Sequence, residues 1–172
     1  MIRTAVLLLF CLGFAGSSLY GQYYLNENKN WIFGSAAWLD FNSGSPPSGA
    51  ASASIAKMSA NVCEADASVS DVNGQLLFYT NGSVIWDRNH IEMPNANTLH
   101  AFPQLTTTVT ESSCQGALIV PVPDSPNLYY VFSLVNTEMA TPAVQGQYYN
   151  SGSLYYSVVD MSLNGGLGDA AP

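Results

Sequence analysis

The sequence predicts an all-β chain, a partial β-propeller-like array of antiparallel meander blades at the N-terminal end of a longer protein. Three observations carry that expectation. Ser70 to Asp87 reads SDVNGQLLFYTNGSVIWD, with two Asn-Gly dipeptides between short apolar runs. Asn and Gly tolerate the positive φ of tight hairpin turns, so three strands fold back on one another there. A second copy follows about fifty residues later: Ala67–Ser70, turn, Leu76–Tyr79 matches Ala117–Val120, turn, Leu128–Val131. A period of about forty to fifty residues with three or four strands is the signature of propeller blades. Finally, Leu76-Leu77-Phe78-Tyr79 and Leu128-Tyr129-Tyr130-Val131-Phe132 barely alternate apolar with polar. A strand with one wet face alternates; a continuous apolar run implies cover on both faces. No amphipathic helix after residue 21 offers that cover, so neighbouring blades are expected to supply it.

The elements follow in order. Met1 to Gly21 has one early cation, Arg3, then the apolar run Ala5 to Gly16, then small residues. That order predicts a secretory signal peptide over 1–21, cut near Gly21. The run is too short to span a bilayer comfortably. Cys11 is preceded by Phe10, where lipoprotein processing requires a small residue. Trp31–Gly34 and Ala37–Phe41 read as short aromatic strands. Asn42 to Gly49, with Pro46-Pro47, reads as a loop, and Ala50 to Ala60 as a loop or poor strand.

The first clear repeat runs Ala65–Ser70, Leu76–Thr80 and Val84–Trp86. Arg88 to Thr107, with Pro94 and Pro103, reads as a long connection. The second repeat runs Ala117–Val120, Leu128–Leu134 and Leu154–Asp160, with a polar insertion at Asn136 to Ser153. About 150 mature residues supply roughly three blades, fewer than the four or more of closed propellers. The expected domains are therefore a leader, 1–21, and an incomplete propeller-like domain, 22–172. Its missing C-terminal blades belong to the same chain.

Composition narrows the partners. Loss of Arg3 with the leader leaves Lys29, Lys57 and Arg88 against twelve acidic residues, taking the net charge from −8 to −9. An acidic, Lys-poor surface repels nucleic acid and anionic lipid, so neither is an expected partner. No membrane span is expected in the mature segment. The mature chain keeps Cys63 and Cys114. An even count in an exported protein invites a disulfide. Closing a loop of about 52 residues would stabilise by about 4 kcal/mol in the chain-entropy model. Two buried free thiols are the other reading.

The chemical motifs weigh against an enzyme. Asp71 and Asn73 before Gly74 offer too few oxygens at alternating positions for calcium, so an Asx-type turn is expected. The Ser-x-Asp-x-Gly-x-Thr-Trp box of sialidases is not met, because Gly74 falls three residues after Asp71. His90 and His100 have no carboxylate or cysteine at metal-ligand spacing. Glu64 and Asp66 are sequence neighbours on one strand end, not carboxyls facing each other across a cleft. No catalytic residue, metal or cofactor is assigned. Trp31, Trp38, Trp86, Tyr155 and Tyr156, with Tyr148 and Tyr149, offer a sugar-stacking platform as one reading, but aromatics in β proteins more often read as core. Tyr148 and Tyr149 sit in the polar insertion and are the candidate ligand contacts, since loop aromatics face solvent more often.

Asn30-Trp31-Ile32-Phe33-Gly34 with Leu39-Asp40-Phe41-Asn42-Ser43-Gly44 resembles the opening of large exported Bacteroidetes proteins. The resemblance continues through Ser70 to Gly82, Val84 to His90, Met93-Pro94-Asn95, Gln115 to Pro121, Asn127 to Phe132 and Tyr156 to Asp169. It implies a surface or secreted protein of the type IX secretion system. Such proteins pair a propeller-like N-terminal region with PKD modules and a C-terminal type B sorting domain of the gliding-motility-associated kind. It brings no catalytic residue to carry over. The expected function is a non-enzymatic module for adhesion or for binding an extracellular glycan or protein. A polysaccharide-acting enzyme fragment and a structural spacer are the alternatives.

Overall fold

A computed structural model describes residues 25–33, 37–42, 48–51, 65–96, 99, 115–134 and 153–171. The leader, Cys63, Glu64, His100, Cys114, Tyr148 and Tyr149 lie outside these residues. The described chain is all-β, with antiparallel sheets and no helix of seven residues or more. Among the described residues no helix is long and apolar enough to cross a membrane.

Among the described residues ten strands form three sheets. Sheet I is β1 (Asn30–Phe33), β2 (Ala37–Asp40) and β3 (Ser48–Ala51). Sheet II is β4 (Ala67–Ser70), β5 (Leu76–Thr80) and β6 (Ile85–Asp87). Sheet III is β7 (Ala117–Pro121), β8 (Leu128–Leu134), β9 (Leu154–Asp160) and β10 (Asp169–Ala170). Among the described strands every hydrogen-bonded pair joins neighbours in the order just given. The expected loop before residue 50 is shorter than the sequence implies, because Ser48–Ala51 pairs with Ala37–Asp40. β10, which the sequence reading left out, is a two-residue strand on the edge of β9.

Turn chemistry sets the hairpins. Between β4 and β5, Asp71 Oδ1 accepts the Asn73 and Gln75 amides at 2.8 and 2.9 Å, and Gly74 adopts φ +84°. This is the expected Asx turn. Between β5 and β6, Asn81 Oδ1 accepts the Ser83 and Val84 amides, and Gly82 adopts φ +88°. Thr80 Oγ1 locks the same turn by donating to the Val84 carbonyl and accepting from the Gly82 amide. Positive φ costs a glycine little and any other residue about 1–2 kcal/mol. Both turns are therefore written into the Asn-Gly pairs.

The three sheets stack face to face. A bulge sets the faces of sheet II: Val69 pairs with Phe78 and Ser70 with Leu76, so Leu77 is the extra residue. One face then carries Val69, Phe78 and Ile85 into a core with Tyr129, Val131 and Val159 of sheet III. Met93, Ala96, Met161 and Ala170 close that core. The other face carries Tyr79 and Trp86, packed with Ile32 and Trp38 of sheet I. Sheet II is thus covered on both sides, as its unbroken apolar run predicts.

Sheet III departs from that expectation. Along β8 burial alternates strictly: Tyr129, Val131 and Ser133 are buried, and their neighbours are only partly so. Its sequence is apolar on both faces, yet only the face toward sheet II is fully buried along β8.

The first strands of the sheets are neighbours. β1 lies against β4, and β4 against β7. Ser68 donates through Oγ to the Asn30 carbonyl at 2.7 Å. Asn30 Nδ2 donates to Ser70 Oγ at 2.9 Å and to the Gly74 carbonyl at 2.7 Å. Its Oδ1 accepts from Trp38 Nε1 at 3.0 Å. The buried Asn30 is therefore the polar joint between sheets I and II. Phe78 and Tyr129 meet edge to face at 5.4 Å and join sheets II and III.

Candidate functional site

Among the described residues two open aromatic faces and one buried polar cluster are features that chemistry could use. Cross-strand partners share a face of a sheet, so the register assigns each side chain. In each sheet we call the side toward the next sheet the leading face and the opposite side the trailing face.

The leading face of sheet III is open. Phe132 pairs with Leu118 on one side and Tyr156 on the other. Tyr130 pairs with Val158, and Leu134 with Leu154. Leu118, Leu154 and Tyr156 are 58 %, 66 % and 65 % exposed. The rings of Tyr130, Phe132 and Tyr156 lie 6.1–6.3 Å apart. They tilt against one another at 42°, 43° and 74°. Sugar stacking uses the flat face of a ring, and rings set edge to face do not line up as one platform. The tilt is the geometry of side chains packing a core.

The trailing face of sheet I is open in the same way. Trp31 and Phe33 are both exposed, and Trp31 pairs across with Leu39. Trp31 lies 5.1 Å from Phe41 and 6.4 Å from Phe33, ring to ring. Its Nε1 donates to the Asn28 carbonyl, which fixes the indole over the sheet.

The buried cluster sits on the trailing face of sheet II. Tyr79 stacks on Trp86 at 5.5 Å and 19°, and its hydroxyl lies 3.2 Å from His90 Nδ1. Burial, with a further push from the Asp87 charge, holds the Tyr79 phenol well above its ordinary pKa. Burial lowers the His90 pKa, and Asp87 partly opposes that. Asp87 is itself enclosed, and its Oδ1 accepts the Asn89 and Ile91 amides at 2.7 and 3.0 Å. A phenol held protonated and a carboxylate committed to a turn are poor nucleophile and base.

Other carboxylates are engaged similarly. Asp40 Oδ1 accepts the Asn42 amide, and Asp160 Oδ1 accepts the Ser162 amide and hydroxyl. The Ser162 bonds hold the Asp160 carboxyl below its usual range. Asp169 takes the backbone and side-chain amides of Asn95, tying the loop after β6 to β10. Among the described residues no three His, Cys, Asp or Glu side chains gather as a metal group.

The structure splits the aromatics that the sequence treats as core. Trp38 and Trp86 are core, between sheets I and II, whereas Trp31 and Tyr156 face outward. Tyr130 and Phe132, not singled out from sequence, complete the open face of sheet III. The unalternating run of β8 is the signal for them, but an apolar run does not say which side stays uncovered. No protein-family model, no curated protein and no solved structure matches this chain.

Proposed function

We propose that the chain is a non-enzymatic β-propeller module of an exported, surface-associated protein, with a role in adhesion or in binding a glycan or protein. The observation that carries the reading is the stacking of three sequential meanders with their first strands β1, β4 and β7 side by side. Blades of a propeller have that relation: the first strand of each lines the centre, and each leading face packs on the next trailing face. The matched positions support it. Phe78 and Tyr130 both lie on leading faces, and Tyr79 and Val131 both lie on trailing faces. The open end faces of sheets I and III support a blade set larger than three. The engagement of Asp40, Asp71, Asp87 and Asp160 in turns, and of Asp169 with Asn95, supports a binding role over a hydrolytic one.

The test is a paired screen of the mature protein. Glycan and protein arrays should retain it, and polysaccharide hydrolase assays should give no turnover. Turnover without binding would reverse the assignment in favour of a polysaccharide-acting enzyme.

A further inference from the structure

We infer that Asn164 is a site of self-modification: its side-chain amide is lost to the neighbouring Gly165 backbone nitrogen, and an acid is left in its place. The inference is independent of whether the sheets are blades of a propeller.

Asn-Gly pairs carry this chemistry because glycine has no side chain to shield its amide nitrogen. The Gly165 nitrogen attacks Asn164 Cγ. A new N–Cγ bond forms, the Cγ–Nδ2 bond breaks, and the glycine amide proton departs with Nδ2 as ammonia. Water then opens the cyclic imide. Breaking the N–Cγ bond gives aspartate. Breaking the bond from that nitrogen to the Asn164 carbonyl carbon gives isoaspartate, with the chain running through Cγ. Water is the only co-reactant, and nothing is oxidised or reduced.

The chain has three Asn-Gly pairs, Asn73-Gly74, Asn81-Gly82 and Asn164-Gly165. The fold guards the first two. Gly74 and Gly82 are buried. The Gly74 amide donates to the Asp71 carbonyl at 2.9 Å, and the Asn73 amide to Asp71 Oδ1 at 2.8 Å. The Gly82 amide donates to Thr80 Oγ1 at 3.0 Å, and Asn81 Oδ1 is held by the Ser83 and Val84 amides. Bringing either glycine nitrogen onto Cγ means breaking these bonds, which are the turns themselves.

The third pair has no such guard. Asn164 and Gly165 are both exposed, and a Cβ placed on Gly165 would meet nothing within 4 Å. The Leu163 carbonyl accepts the Gly166 and Gly168 amides at 3.0 and 3.2 Å, which closes the loop behind the pair and leaves the pair at its tip. Among the described residues no hydrogen bond holds the Gly165 amide. The backbone must turn about Asn164 to bring the reacting atoms together, and Gly165 and Gly166 beside it make that turn easy.

The products have different neighbours. Arg88 Nη2 donates to the Gly166 carbonyl at 2.6 Å, tying the turn after β6 to this loop. Aspartate at 164 adds a negative charge two residues from that tie. Isoaspartate adds a backbone atom inside the loop that ends at Gly168, where even a Cβ would run into Met161 and Met93 of the core between sheets II and III. The first product acts on the Arg88 tie, and the second bears on that core.

One sample tests all three pairs. The protein is held folded in mildly alkaline buffer, with a parallel sample in urea, and peptides taken at successive times are compared by mass spectrometry. Conversion reads as the mass difference between amide and acid, and circular dichroism checks that the buffered sample is folded. In urea the three pairs should convert at similar rates. In the folded protein Asn164 should convert roughly tenfold or more faster than Asn73 and Asn81, whose turns must open first. A folded-state rate at Asn164 no faster than at Asn73 or Asn81 would overturn the inference. So would an Asn164 that converts in urea but stays an amide in the folded protein.

Discussion

The Tyr79 hydroxyl meets His90 Nδ1 at 3.2 Å beneath the turn that follows β6, inside the joint between sheets I and II. His90 holds φ +63° to reach that position, a left-handed conformation uncommon for a residue with a side chain. The Asp87 carboxylate shapes the turn by accepting amides from Asn89 and Ile91. Which of the two groups donates depends on the His90 tautomer, and burial of the ring disfavours its charged form.

Stability should therefore fall on mild acidification. Burial lowers the folded-state His90 pKa below its ordinary value of 6.5, so the unfolded chain binds the proton more readily. The His90 contribution is fully present above pH 6.5 and is lost as pH falls through the lowered folded value. Urea midpoints across pH 5 to 8, compared between wild type and His90→Gln, measure it. The expected result is a steeper acid loss in the wild type; parallel curves would contradict it.

Asn30 should be the costliest polar side chain to remove. It is 3 % exposed and serves Ser70, Gly74 and Trp38 at once. Asn30→Ala takes away the partner of the part-buried Trp38 indole N–H and of the buried Ser70 hydroxyl, at about 2–4 kcal/mol from two or three lost partners. Asn30→Asp should be no milder, because it removes the donor and adds a buried charge. Equilibrium denaturation of both variants tests this.

The two turn glycines should respond differently to alanine. Both need positive φ, at about 1 kcal/mol or more for a Cβ. A Cβ on Gly82 meets nothing nearer than Ala65 Cβ at 3.5 Å. A Cβ on Gly74 runs into Asn42 Oδ1, which is held there by the Asn42 amide bond to the Gly74 carbonyl. Gly74→Ala should thus exceed Gly82→Ala by about 1 kcal/mol or more. Equal losses in chemical denaturation would count against that packing.

The two faces of sheet III should separate cleanly. Val131 is fully buried against sheet II, and Val131→Ala should cost about 2 kcal/mol. Leu118→Ala, on the open face, should leave the unfolding free energy of the isolated chain within about 0.5 kcal/mol. A large loss at Leu118 under monomeric conditions would mean that its face is covered after all.

Local chemistry was legible in the sequence where it is local in the fold. The Asn73-Gly74 and Asn81-Gly82 turns and the strands around them follow from backbone preferences alone. The covered state of sheet II was legible too, because Leu76 to Tyr79 has no polar residue to spare for water. β3 was not: Ser48-Gly49-Ala50-Ala51 has no β-branched or aromatic side chain, and only pairing with β2 makes it a strand. The open face of sheet III was also hidden. Tyr130 and Val131 both suit a strand with a packed face, and the position of sheet II decides that Val131 is buried and Tyr130 partly exposed. The duty of Asp169 was equally out of reach, since it takes its partner from Asn95, far away in the chain.

Pairing only between consecutive strands has a consequence for how this protein is made. Each sheet can complete its hydrogen bonds from a short length of chain, without waiting for residues synthesised later. The order of emergence is then the order of stacking, and sheet I must hold its Ile32 and Trp38 side exposed until sheet II arrives. It also makes the protein easy to lengthen or shorten in evolution. Duplicating or deleting a whole meander changes no existing strand register and asks only that one leading face fit one trailing face.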